Sequence, residues 1–180
     1  MTFYLTLTQL REKNASSNDF FQTALNMRKI TATLGVPLII NDRADIALAV
    51  DADGLHIGQD DLPYEAARRI FGQDKIIGVS THNLAEAKDA ALRGADYIGV
   101  GAMFTTRTKT DANPTNIDEL RRICEAVEIP VVAIGGINKK NVPLLKNTGL
   151  AGIAVVSAIV AEQDTANAAQ ELKALFQRES

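Results

Sequence analysis

Tryptophan is absent from this sequence, cysteine occurs once and histidine twice. The lone Cys124 excludes an internal disulfide and suits a reducing compartment, so a cytoplasmic protein is expected. Aromatic residues make up 5% of the chain, too few to suggest nucleic-acid recognition by base stacking. No sign of charge dominates: 19 basic and 22 acidic residues leave a net charge of -3, which speaks against a general nucleic-acid or polyanion binder. Any anion site must then be a local cluster of basic side chains. No apolar run approaches the ~20 residues of a membrane-spanning helix, so no membrane association is expected. The opening MTFYLTLTQLREK has neither a basic n-region nor a small-residue cleavage site, and no secretion signal is expected.

What the chain does contain is enough apolar material for a core, with 46% hydrophobic and 23% charged residues over 180 positions. One domain spanning residues 1–180 is expected. Short β-branched runs predict strands at 3–9, 37–41, 53–57, 75–79, 96–100, 130–134 and 152–156. Helical periodicity predicts helices at 18–34, 44–50, 62–72, 83–93, 116–127, 139–147 and 164–177. Asn83 followed by Glu86 has the form of a capping box, Asn138 marks another helix start, and Gly35, Gly94 and Gly149 stand at helix ends. Strand alternates with helix throughout, which demands a mainly parallel sheet with helices packed outside it. The strands are continuous apolar runs, as expected when both sheet faces are covered. Two α/β architectures fit: a TIM (β/α)8-type barrel, incomplete with seven recognisable strands where eight are needed, and an open doubly wound sheet.

In such folds the reactive groups gather at the carboxyl ends of the strands. Here the first strand runs into Gln9, Arg11 and Lys13, and the second ends at Asn41 and Asp42. The third runs into His56, Gln59, Asp60 and Asp61, and the fourth ends at Ser80 and His82. The fifth leads to Thr106, Thr108 and Lys109, the sixth to Gly135-Gly136 and the seventh to Ser157. The aspartate-rich stretch NDRADIALAVDADGLHIGQDD places Asp42 and Asp61 at the ends of neighbouring strands. Their carboxylates suit one hard cation such as Mg2+, which takes one or two protein carboxylates plus water and phosphate oxygens. Arg11, Lys13 and Lys109 add positive charge at the same mouth, a combination that fits a diphosphate. The Gly-Gly turn and Ser157 form a second anion site, of the kind that holds a monophosphate late in a barrel.

Plainer roles exist for many of these residues. Asp61 and Asp42 stand where each can cap the helix that follows. Asp45, Asp51 and Asp53 read as solvated charges around the short second helix, and Arg11 and Lys13 can be solvated loop charges. His56, inside an apolar run, reads as structural; His82 reads as a loop residue with no evident partner, and Cys124 as core. The GVGAMF run is too incomplete for a dinucleotide fingerprint.

Seven ordered motifs make the chain recognisable: QLREK, IINDRADIAL, ADGLHIGQDDLP, GVSTH, GADYIGVGAMFTTRTK, IPVVAIGGI and GIAVVSAI. Together they resemble the thiamine-phosphate synthase family from Gln9 onward. The resemblance implies a cytoplasmic, Mg2+-dependent transferase of thiamine biosynthesis that joins a pyrimidine diphosphate to a thiazole phosphate and releases pyrophosphate. It implies small-molecule substrates, with no nucleic-acid or membrane partner, and is compatible with a homo-oligomer. It implies that Gln9, Leu10, Arg11, Glu12, Lys13 and Asn41 hold the pyrimidine diphosphate, with Asp42 and Asp61 as Mg2+ ligands. Ser80 and Lys109 would contact the pyrimidine and its leaving group; Arg11, Lys13 and Lys109 would be the catalytic cations. Thr106, Arg107, Thr108, Gly136, Val156 and Ser157 would bind the thiazole phosphate. Family members begin with a further strand and helix, whereas here MTFYLTLT runs straight into QLREK. Two alternatives to the synthase are a TenI-like thiazole tautomerase and a non-catalytic phosphate-ligand-binding remnant.

Overall fold

The computed structural model describes residues 6–105 and 115–177. Two compact units divide the chain, with the boundary between Val79 and Ser80. No helix among the described residues is long and apolar enough to cross a membrane.

The first unit alternates β1 (Thr8–Leu10), α1 (Ser17–Leu34), β2 (Leu38–Asn41), α2 (Ala44–Ala49), β3 (Gly54–Ile57) and α3 (Tyr64–Phe71), and it includes the start of β4 (Ile76–Thr81). All strand pairs are parallel, in the register Leu10↔Ile40, Asn41↔His56 and Ile57↔Val79. The runs LIIN and GLHI are buried on both faces, with Leu38, Ile39, Ile40 and Leu55 at 0% exposure. A two-sided burial of this kind needs no alternation of polar and apolar residues, which is why these strands read as continuous runs. Asp53 is tied into this packing. Its carboxylate accepts the Leu38 N–H at 2.8 Å and pairs with Arg28 at 3.0 Å, so it anchors α1 and β2 and is not the solvated charge expected from the sequence. Asp45 and Asp51 are exposed as expected, each beside a cation, Arg43 and Lys75 respectively.

The second unit takes the end of β4 and continues with α4 (Leu84–Arg93), β5 (Tyr97–Val100), α5 (Ile117–Ala126), β6 (Val131–Ile134), β7 (Gly152–Ala154), α6 (Ser157–Val160) and α7 (Thr165–Gln177). β5, β6 and β7 are parallel, with Val100↔Ala133 and Ile134↔Ala154 in register. Asn83 caps α4 as expected, its Oδ1 accepting the Glu86 N–H at 3.0 Å; the return contact of the box differs, with Glu86 Oε1 accepting the Asn83 side-chain Nδ2 at 2.6 Å and Glu86 Oε2 accepting the His82 N–H at 2.8 Å. Gly35 and Gly94 close α1 and α4 in the left-handed conformation.

Several expectations need correction. The first strand, expected at 3–9, is Thr8–Leu10 among the described residues, and 3–5 lie outside them. No α-helix fills 139–147; only a 3-10 turn, Val142–Leu145, forms there. Pro143 has no N–H to give to a helix, and the Asn138 and Asn141 side chains bond nearby backbone, which competes with helix formation. Asn138 is therefore a turn residue and Gly149 does not end a helix; the chain instead reverses through Asn147 and Gly149, both at positive φ. β7 is also shorter than the expected 152–156, because the backbone turns at Val156 into the four-residue α6, where no helix was expected.

Candidate active site

The first unit carries the acidic and basic cluster. β2 ends at Asn41, which is 9% exposed and accepts Gln9 Nε2 on Oδ1 at 3.1 Å, so the last polar residues of β1 and β2 are locked together. Asp42 follows with φ 64, a left-handed conformation that Asp tolerates better than most residues. Its N–H still donates to His56 O at 2.8 Å, which fixes the kink beside the end of β3. On the neighbouring loop, Asp61 Oδ2 accepts the Gly58 N–H at 2.6 Å. A side chain at Gly58 would crowd that contact, since a Cβ there would sit 3.0 Å from the same oxygen.

The two aspartates meet. Burial and a direct hydrogen bond to Asp61 push the Asp42 carboxyl up to about 6, while the charges of Arg11 and Lys13 pull it back down. The structure thus brings together Arg11, Lys13, Asp42 and Asp61. Neither aspartate caps a helix: α2 starts from Arg43 and α3 from Pro63, both without a side-chain cap. The plainer readings of these two residues are therefore not realised. Leu10 is buried, Arg11 half-buried, and Glu12 and Lys13 exposed. An all-oxygen pair of this kind suits a hard divalent cation. Among the described residues no group of three or more His, Cys, Asp or Glu side chains could hold a metal.

In the second unit Ser80 is half-buried near the end of β4. His82 has a partner after all: its Nδ1 and its N–H both lie against Glu86 Oε2, at 3.0 and 2.8 Å. Gly135 and Gly136 have φ 100 and 65, and both are pressed against the chain after β5. A Cβ at Gly135 would lie 2.7 Å from Ala102, and one at Gly136 would lie 2.7 Å from Thr105 O. Val156 and Ser157 are exposed at the start of α6. Thr106, Arg107, Thr108 and Lys109 lie outside the described residues. Sequence reasoning missed one element here. Asn138 and Asn141 fold back onto Gly136, and their spacing of three after the Gly-Gly pair was the available signal.

The family model described as "Thiamine monophosphate synthase" matches residues 3–159. The chain belongs to the thiamine-phosphate synthase family. It is 57% identical over 173 residues to a thiamine-phosphate synthase of Clostridium botulinum, covering 96% of this chain and 81% of that protein. A thiamine-phosphate synthase of Ruminiclostridium cellulolyticum is 57% identical over 171 residues, with 95% and 81% covered. Among solved structures, a thiamine phosphate pyrophosphorylase from Pyrococcus furiosus superposes with a TM-score of 0.88 at 41% identity, covering 96% of this chain and 83% of that one. The fold is accordingly α/β of the TIM-barrel type, and the chain is a transferase of thiamine biosynthesis that acts on small molecules.

Proposed function

We propose that the chain joins a pyrimidine methyl diphosphate to a thiazole phosphate, forming thiamine phosphate and pyrophosphate, with Mg2+ as its metal. The observation that carries this reading is the contact between Asp42 and Asp61 with Arg11 and Lys13 in electrostatic reach. Two carboxyl groups close enough to share a proton, with cations beside them, make an arrangement that a divalent ion and a diphosphate would complete. The metal, when bound, would neutralise charge on the departing diphosphate as a Lewis acid.

The chain's own residues would do the rest. Arg11, Lys13 and Lys109 would stabilise the negative charge that grows on the leaving diphosphate as the methylene carbon–oxygen bond breaks. Gln9 and Asn41, already hydrogen-bonded to each other, would present a fixed polar edge to the pyrimidine. Leu10 and Glu12 would shape the same segment, and Ser80 would contact the pyrimidine. The thiazole nitrogen would then attack the resulting pyrimidine cation, so no side chain need act as nucleophile. Gly136, Val156 and Ser157, with Thr106, Arg107 and Thr108, would hold the thiazole phosphate; a Gly-rich turn and a short helix start late in a barrel are features that favour phosphate.

The test is incubation with both substrates, with and without Mg2+, following pyrophosphate release. Metal-dependent release that requires the thiazole phosphate is expected. Lys109→Ala should lower turnover by about a hundredfold or more. Release independent of the thiazole phosphate, or wild-type turnover from that variant, would contradict the reading.

A further inference from the structure

The Gly135-Gly136 turn is braced from behind by two asparagines. Asn141 Nδ2 donates to Gly136 O at 2.9 Å, and Asn138 Nδ2 donates to the same oxygen at 3.1 Å. The asparagines are also tied to each other and to their own loop: Asn138 N donates to Asn141 Oδ1 at 2.8 Å, and Lys140 N donates to Asn138 Oδ1 at 2.9 Å. On the other side, Gly135 O accepts Phe104 N–H at 3.0 Å. Both glycine carbonyls are therefore occupied by protein. No protein acceptor among the described residues takes the N–H of Gly136 or Ile137. A carbonyl held on one side fixes the plane of its peptide, and with it the direction of the N–H that the same peptide carries. Consecutive N–H groups in a turn of positive φ form a concavity for an anion.

We infer that Asn138 and Asn141 are positioning residues for the thiazole phosphate: by clamping Gly136 O, they keep the Ile137 N–H, which follows the Gly-Gly turn, aimed for the phosphate. This rests on the proposal that Gly136 and Ser157 bind that phosphate. Neither asparagine touches the ligand in this account. Both work through the peptide between Gly136 and Ile137, and because they share one acceptor their effects should not add.

The experiment measures KM for each substrate separately, with kcat and thermal stability, in Asn138→Ala/Asn141→Ala. KM for the thiazole phosphate should rise about tenfold, as expected for two hydrogen bonds lost from one carbonyl. KM for the pyrimidine diphosphate should stay within about twofold, whereas general loosening would move both. Asn141→Asp is the second variant. It keeps the acceptor for Asn138 N–H, preserves shape, and turns a carboxylate toward Gly136 O, so it should raise the thiazole phosphate KM on its own. Lys139→Ala serves as a control, since Lys139 lies in the same loop but pairs outward with Glu171 on α7; it should leave both KM values unchanged. Folded asparagine variants with an unchanged thiazole phosphate KM, beside a Ser157→Ala variant in which that KM rises, would overturn the inference and leave the phosphate site standing. An unchanged thiazole phosphate KM in Ser157→Ala as well would remove the site, and the inference with it.

Discussion

Replacing Asp42 by Asn should make the metal-free protein more stable and nearly inactive. In the native state the Asp42 carboxyl is raised from 3.8 to about 6, chiefly by burial and then by Asp61. Below about pH 4 the group is protonated in both the folded and the unfolded chain, and nothing is lost. Between about pH 4 and 6 the unfolded chain gives up its proton first, so stability falls as pH rises; above about pH 6 the whole cost is present. A shift of about two units corresponds to a ceiling of about 3 kcal/mol. Asp42 is only half-buried, and solvent screening brings the expected cost nearer 1 kcal/mol. Asn has the same shape, is at home at φ 64, retains the N–H bond to His56 O, and its amide can donate to Asp61. At pH 8 in chelator, Asp42→Asn should therefore melt about 2–4 °C above the wild type. The difference should vanish near pH 4. Added Mg2+ should raise the wild type alone, by RT ln(1 + [Mg2+]/Kd), and reverse the order. Turnover should fall by about a hundredfold or more. A variant less stable than the wild type at pH 8 without metal, or a stability difference that does not change between pH 4 and 8, would refute the electrostatic reasoning.

The remaining expectations concern the surrounding frame. Asp53→Ala leaves the Leu38 N–H, on a fully buried strand, without its acceptor and frees Arg28, so the melting temperature should drop by about 3–8 °C while both KM values hold. The Cys124 thiol is pushed up to about 11 by burial, so at pH 8 it should react with a thiol reagent at least about tenfold more slowly in the native protein than in denaturant. Equal rates would show the site to be open. Gly135→Ala must place a Cβ 2.7 Å from Ala102 at φ 100, so it should destabilise the protein by about 2 kcal/mol or more in a denaturant titration.

The βα alternation was legible because these strands are buried on two faces and their helices carry strong caps, as at Asn83 and Gly94. The pairing of Asp42 with Asp61 was legible from strand-end position alone, since parallel register carries the end of β2 to the end of β3. What failed was local chemistry with no periodic signature. Asp53 was read as solvated because its partners, the Leu38 N–H and Arg28, lie 15 and 25 residues away in sequence. The segment 139–147 was read as a helix because its apolar spacing fits one, yet Pro143 and two asparagines that bond backbone override that spacing. His82 was read as unpartnered because Glu86 was counted only as a capping residue, whereas one carboxylate serves both ends of that box.

Residues that break local rules in this chain coincide with the proposed site. An acid in a left-handed conformation, half-buried against a second acid, carries a net stability cost, and no helix cap offsets it. A cation bound between the two carboxylates, as proposed above, would repay that cost. Arg11 and Lys13 pull the Asp42 carboxyl down, but burial and Asp61 outweigh them and the net shift stays upward. A second variant follows from the same reasoning. Lys13→Ala removes one of the two cations that lower the Asp42 carboxyl, so in chelator at pH 8 it should destabilise the wild-type background more than it destabilises the Asp42→Asn background. A double-mutant cycle by thermal melting reads that difference, and equal effects in the two backgrounds would mean that Lys13 does not sense Asp42 at all.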